Sequence, residues 1–149
     1  MHKNFKDNIF VGMQGILFAV FFLQTGYDYH LPDMLKYAGI LLFLTGCLIV
    51  LTAMIQLNKN LTAFPTPKER PALYTSGLYS VVRHPIYTGV ILVFIGLSFS
   101  WLSLHKLLIS ISLVLLLYFK TAYEEKQLEI KYEGYGDYKI KTRKFFPGF

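Results

Sequence analysis

The chain alternates long apolar runs with short polar breaks. Mostly apolar residues extend over 9–25, 34–57, 85–104 and 107–123. Each run can form a helix of the ~17–25 residues needed to cross a bilayer. The pattern predicts an all-α integral membrane protein with four transmembrane helices. The breaks refine this picture. Gly26 to Asp33 is a short turn whose Tyr27 and Tyr29 suit a membrane interface. Asn58 to Val82 is the long polar connection, and Pro65, Pro67 and Pro71 keep it from being one continuous helix. Pro85 fits a first helical position, where its missing N–H costs nothing, so His84 falls near the N-cap. Trp101 to Lys106 reads as a second short turn. The last helical pattern runs on past Glu124, Leu128 and Lys131 until Gly134 and Gly136 break it. Gly12 with Gly15, and Gly39 with Gly46, offer places where a neighbouring helix comes close.

Charge gives the chain a direction. Of the 15 basic residues, 13 lie before the first run, between the second and third, or at and beyond the end of the fourth; only Lys36 and Lys106 flank the other turns. The positive-inside rule then places both termini and the C-terminal helical tail in the cytoplasm. It also makes chance of the glycosylation-like triplet Asn60-Leu61-Thr62. Composition agrees: of 149 residues, 54% are hydrophobic and 16% charged. The net charge of +6 flanks apolar runs, which points to a membrane surface rather than to nucleic acid. Cys47 alone excludes an internal disulfide, and no Cys/His spacing suits a metal. The whole chain, 1–149, reads as one domain. Its shortness and lack of a targeting extension favour a prokaryotic inner membrane.

Two polar clusters fall on the cytoplasmic face. Arg83-His84-Pro85-Ile86-Tyr87-Thr88-Gly89 opens the third run, and Glu124-Glu125 closes the fourth. A helix N-terminus presents unpaired N–H groups and partial positive charge, a seat for a carboxylate or phosphate. Arg83 adds a fork of donors, and His84 and Tyr87 share one side of the first turn. Gly89 leaves room for a ligand or a helix. Glu124 and Glu125 suit a cation or ribose hydroxyls, because ionisable groups at membrane depth point to function. A solvated pair beside Lys120 and Lys126 is the plainer alternative. Together the clusters would hold a zwitterion such as an amino acid moiety.

Gly77-Leu78-Tyr79 with Arg83-His84-Pro85-Ile86-Tyr87-Thr88-Gly89, then Glu124-Glu125-Lys126-Gln127-Leu128, Tyr135-Gly136-Asp137-Tyr138 and Phe146-Pro147-Gly148, resembles the isoprenylcysteine carboxyl methyltransferase family and the related phospholipid N-methyltransferases. The likeness covers residues 73–149, about half the chain. It implies an integral-membrane methyltransferase that uses S-adenosylmethionine, with the cofactor region in 73–149. Carried over by position, His84, Tyr87, Gly89, Glu124, Glu125 and Tyr138 would bind the cofactor. Arg83 and Lys141 would be the catalytic cations. Lys141 stands where the family often has Arg, so bidentate clamping is lost. The stretch Tyr132-Glu133-Gly134 is one residue shorter than the family pattern.

The leading expectation is methyl transfer to a lipophilic or membrane-embedded acceptor, by carboxyl O-methylation or lipid amine N-methylation. A nicotinamide-dependent membrane reductase is the second reading, although no Gly-rich dinucleotide fingerprint is present. A non-enzymatic lipid-binding protein with a basic tail is the third.

Overall fold

The computed structural model describes residues 5–23, 32–57 and 73–146. The described residues form five α-helices: α1 (Phe5–Phe22), α2 (Leu35–Leu57), α3 (Pro85–Ser100), α4 (Leu104–Lys131) and α5 (Tyr135–Lys141). A 3-10 turn, Gly77–Ser80, precedes α3. Most of the first turn, the proline-bearing connection with its Asn60 triplet, and Pro147-Gly148 lie outside the described residues.

Three helices, α1, α2 and α4, are long and apolar enough to cross a membrane. The expected third span is shorter than the apolar run implied. α3 has 16 residues, about 24 Å at ~1.5 Å per residue. Its apolar pattern continues to Leu104, but Leu102 adopts φ 52°, a left-handed conformation that ends the helix. Ser103 then caps α4 by accepting from the Lys106 N–H, so α4 begins at Leu104 rather than 107. It continues without a break to Lys131, as the sequence pattern required.

Neighbouring helices run antiparallel. Lys106 Nζ donates to the Phe21 carbonyl at 2.8 Å at one end of the α1–α4 pair, and Lys120 Nζ donates to Gln14 Oε1 at 2.7 Å nearer the other. Ser98 and Ser110 join α3 to α4 at 2.9 Å. The apolar core lies between α1, α3 and α4, around Phe21, Ile91, Phe94, Leu113 and Leu117. Large apolar side chains such as Leu41, Leu48 and Ile55 stay exposed, up to 76%. Such a surface suits lipid contact, because hydrocarbon removes the cost of leaving it outside. With the three apolar helices it defines an integral membrane protein.

α2 joins the bundle through a glycine seam on α3. A Cβ on Gly46 would lie 2.7 Å from the Gly89 carbonyl, and one on Gly89 would lie 2.6 Å from Val50 Cγ2 and 2.8 Å from the Gly46 carbonyl. Gly39 and Gly96 form a second close pair. The expected close packing at Gly39 and Gly46 is therefore present. Gly12 and Gly15 differ: nothing lies within 4 Å of a Cβ there, because α1 turns that side away from α4. Gly89→Ala will cost about 1–3 kcal/mol of unfolding free energy, the usual range for overpacking. Denaturant titration in micelles will measure it; an unchanged midpoint would mean that the seam opens freely.

Candidate functional site

The antiparallel arrangement gathers the start of α1, the end of α2, the start of α3 and the end of α4 at one end of the bundle. Two local features shape the entry to α3. Gly77 has φ +62°, and a Cβ there would lie 2.6 Å from the Gln56 side chain. Gln56 Oε1 in turn accepts the Leu78 N–H at 2.9 Å, tying the turn to α2. His84 is the N-cap of α3 and Pro85 its first residue.

The C-terminal segment returns to this end as a strap. Val82 and Arg143 form a parallel bridge. The Arg83 N–H donates to the Arg143 carbonyl at 2.7 Å, and the His84 N–H to the Lys144 carbonyl at 3.1 Å. Thr88 Oγ1 donates to the Phe145 carbonyl at 2.6 Å. The anion seat expected at the start of α3 is thus partly filled by the chain's own carbonyls.

The two clusters meet. Arg83 Nε donates to Glu125 Oε1 at 2.9 Å, and His84 Nε2 lies 3.2 Å from the same oxygen. Lys139 Nζ stands 3.6 Å from Glu125 Oε2 and 2.7 Å from Glu129 Oε1. The Glu129 partner holds the Lys139 ammonium above its ordinary pKa. Arg83 Nη1 also donates to the Lys139 carbonyl at 2.9 Å and to the Thr142 carbonyl. Arg83 therefore fastens Glu125 to the strap. Lys141 is exposed at the end of α5. Lys139, which the sequence reading passed over, is the tail cation beside the carboxylates, because the short α5 turns it toward α4. Gly89 faces α2, so its missing side chain serves the helix seam.

Glu124 differs from its neighbour. Its Oε2 is buried with no hydrogen-bond partner among the described residues, and His84 Nδ1 lies 3.9 Å from it. The Tyr87 hydroxyl faces this carboxylate, and the Tyr87 ring lies 5.7 Å from the His84 ring in a stacked arrangement. Thus Glu125 is engaged by protein groups, whereas Glu124 keeps an acceptor to offer.

Two α5 tyrosines close this end. Tyr138 donates its hydroxyl to the Tyr79 carbonyl at 2.6 Å, locking α5 onto the 3-10 turn. Burial pushes its pKa up to about 12. Tyr135 is 1% exposed, and its hydroxyl has no hydrogen-bond partner among the described residues. Burial, with the Glu125 charge adding to it, raises the Tyr135 pKa further. Both phenols therefore remain protonated donors at neutral pH. The sequence carried Tyr135 only as a motif letter; its orphaned hydroxyl appears only in three dimensions. Removing it relieves an unpaired buried group, a penalty of about 1–3 kcal/mol. Tyr135→Phe will therefore leave ligand-free stability unchanged or higher in thermal unfolding. A clear loss would show that the hydroxyl already has a partner.

These features define a helical integral membrane protein with a carboxylate- and tyrosine-lined polar site at one end. A family model described as phospholipid methyltransferase matches residues 35–134, more than half of the chain. The chain belongs to that family, and so to the membrane methyltransferases. The matched region runs from α2 to Gly134; α1 and α5 lie outside it. No curated protein and no solved structure matched the chain.

Proposed function

We propose that the chain transfers a methyl group from S-adenosylmethionine to a lipophilic acceptor at this polar end. The observation that carries the reading is Glu124 Oε2, buried and without a hydrogen-bond partner among the described residues, beside a Glu125 that Arg83 and His84 engage. A buried carboxylate oxygen lacking donors is costly until a cation or hydroxyl fills it. The donor set fits an amino acid moiety and ribose. Glu124 accepts from an ammonium or hydroxyl, Tyr135 donates to a ligand oxygen, and Tyr87 and His84 line the wall. Tyr138 holds α5 across the opening. Arg83 acts through Glu125 as a positioning residue, and Lys141 is left to the membrane surface.

S-adenosylmethionine, when bound, supplies a methyl already activated on a sulfonium. The chain's part is orientation and exclusion of water, which together lower the barrier by fixing the approach. A carboxylate acceptor needs no base. An ammonium acceptor must first lose its proton. The apolar helix surfaces admit a lipidic acceptor from the side. In this reading the single domain spans the bilayer with four helices, α3 included, and both termini are cytoplasmic because 13 of 15 basic residues fall, along the chain, beside the same ends of the apolar runs.

The test is titration of the detergent-solubilised protein with S-adenosylmethionine, its demethylated product and a reduced nicotinamide dinucleotide. Saturable binding of the first two is expected. Binding of the nicotinamide alone would replace the reading with that of a reductase.

A further inference from the structure

The cations at the polar end divide into two groups. Arg83 and Lys139 pair with the carboxylates of α4. Lys141, Arg143 and Lys144 form no ion pair among the described residues, not even with Asp137 one turn before Lys141. The end of α5 and the strap therefore carry uncompensated positive charge, and the side chains of Lys141 and Arg143 are exposed. Ile140, between them and Lys139, is 86% exposed, and Phe146 is exposed at the end of the strap. Exposed apolar groups beside unpaired cations fit poorly with water or with a nucleic acid. A headgroup layer accepts both, because apolar side chains reach the acyl boundary while Lys and Arg meet phosphates.

Lys144 ties this face to the bundle. Its ammonium stands over the Tyr118 ring of α4, 4.6 Å from the centroid. Tyr118 is 53% exposed beside the exposed Leu115 and Phe119. It precedes Glu124 by about 9 Å along α4, at ~1.5 Å per residue. A ring contact offsets only part of the cost of holding an ammonium against an apolar surface. A phosphate would supply the missing counter-charge. The backbone of the same residues holds the strap down, since the Arg143 and Lys144 carbonyls accept the Arg83 and His84 N–H groups at 2.7 and 3.1 Å. A lipid that grips these side chains keeps their carbonyls on the start of α3.

We propose that Ile140, Lys141, Arg143, Lys144 and Phe146 form a docking surface for anionic phospholipid headgroups, and that a docked headgroup holds the strap closed. This surface lies outside the matched family region and apart from the residues given to the methyl donor, so it stands or falls separately from the methyltransferase reading.

The test uses the full chain in lipid nanodiscs of phosphatidylcholine alone or of phosphatidylcholine and phosphatidylglycerol in equal parts. Amide hydrogen exchange at Arg83 and His84 reports the strap, because both N–H groups are bonded to it. Exchange should be about fivefold slower in the anionic discs, the worth of roughly one basic residue at such a surface. In Arg143→Gln/Lys144→Gln, which keeps the two carbonyls, the lipid difference should shrink to less than about twofold. The variant sits in the same discs, so the effect of surface charge on exchange itself cancels. Equal exchange of wild type in both lipids, or an undiminished difference in the variant, would overturn the proposal. Spin-labelled phosphatidylglycerol should also be immobilised by wild type more than spin-labelled phosphatidylcholine; equal immobilisation would count against the surface. Inorganic phosphate slowing exchange in the zwitterionic discs as much as phosphatidylglycerol does would assign the face to a soluble anion and sink the lipid. Should the double variant not fold, Arg143→Gln alone, at an exposed position, must lose part of the lipid difference, and a full difference there would refute the role of the strap cations.

Discussion

Arg83→Met will release the C-terminal strap and cost about 3–5 kcal/mol of unfolding free energy, the range for removing one partner of a buried ion pair. The side chains of Arg83 and Glu125 are 9% and 5% exposed and meet at 2.9 Å. Without the guanidinium, Glu125 keeps only His84 at 3.2 Å and the half-exposed Lys139 at 3.6 Å. The Lys139 and Thr142 carbonyls also lose their donor. Arg83→Lys should recover part of the loss, because an ammonium keeps the charge but cannot span the carboxylate and two carbonyls with fixed geometry. Denaturant unfolding in micelles measures the energy. Trypsin measures the release, since cleavage after Lys139, Lys141, Arg143 and Lys144 should accelerate. A variant whose tail resists trypsin as wild type does would show that the backbone bridge at Val82 and Arg143 suffices by itself.

Glu124→Gln and Glu125→Gln should separate binding from stability. Glu124→Gln is expected to weaken S-adenosylmethionine binding by about 1.5–3 kcal/mol, the worth of a hydrogen bond to a charged group. Its ligand-free stability should fall less than that of Glu125→Gln, because Oε2 has no hydrogen-bond partner among the described residues and an amide can still accept from the facing Tyr87 hydroxyl. Glu125→Gln should do the reverse first. It weakens the bonds from Arg83 and His84, so the unfolding midpoint falls, and affinity follows only as the strap loosens. Isothermal titration beside thermal unfolding distinguishes the two. If Glu125→Gln keeps its stability and loses the ligand, the division between the carboxylates is wrong.

Much of this organisation was legible along the chain. Apolar runs named the helices, since a bilayer admits few other ways to satisfy a backbone. Basic residues gathered beside the same segment ends, which put Arg83–Gly89 and Glu124-Glu125 together before any contact was known. Pro85 and His84 marked the start of α3 correctly because N-terminal chemistry is local. The length of α3 was less legible. The apolar run to Leu104 overlapped the turn expected over Trp101 to Lys106, and the left-handed Leu102 settles the overlap by ending the helix at Ser100.

The sequence by itself determined the class: an all-helical membrane protein of a methyltransferase family with one polar end. Composition, periodicity and motif order carry that much because they depend on neighbours in the chain. Only the tertiary structure decided which side chain meets which. It turned Gly89 to α2, gave Arg83 to Glu125 and the strap, exposed Lys141, and brought Lys139 and Tyr135 to the carboxylates. Two adjacent glutamates look alike in sequence, yet on a helix they point about 100° apart. That angle gives Glu125 its protein partners and leaves Glu124 an oxygen to offer.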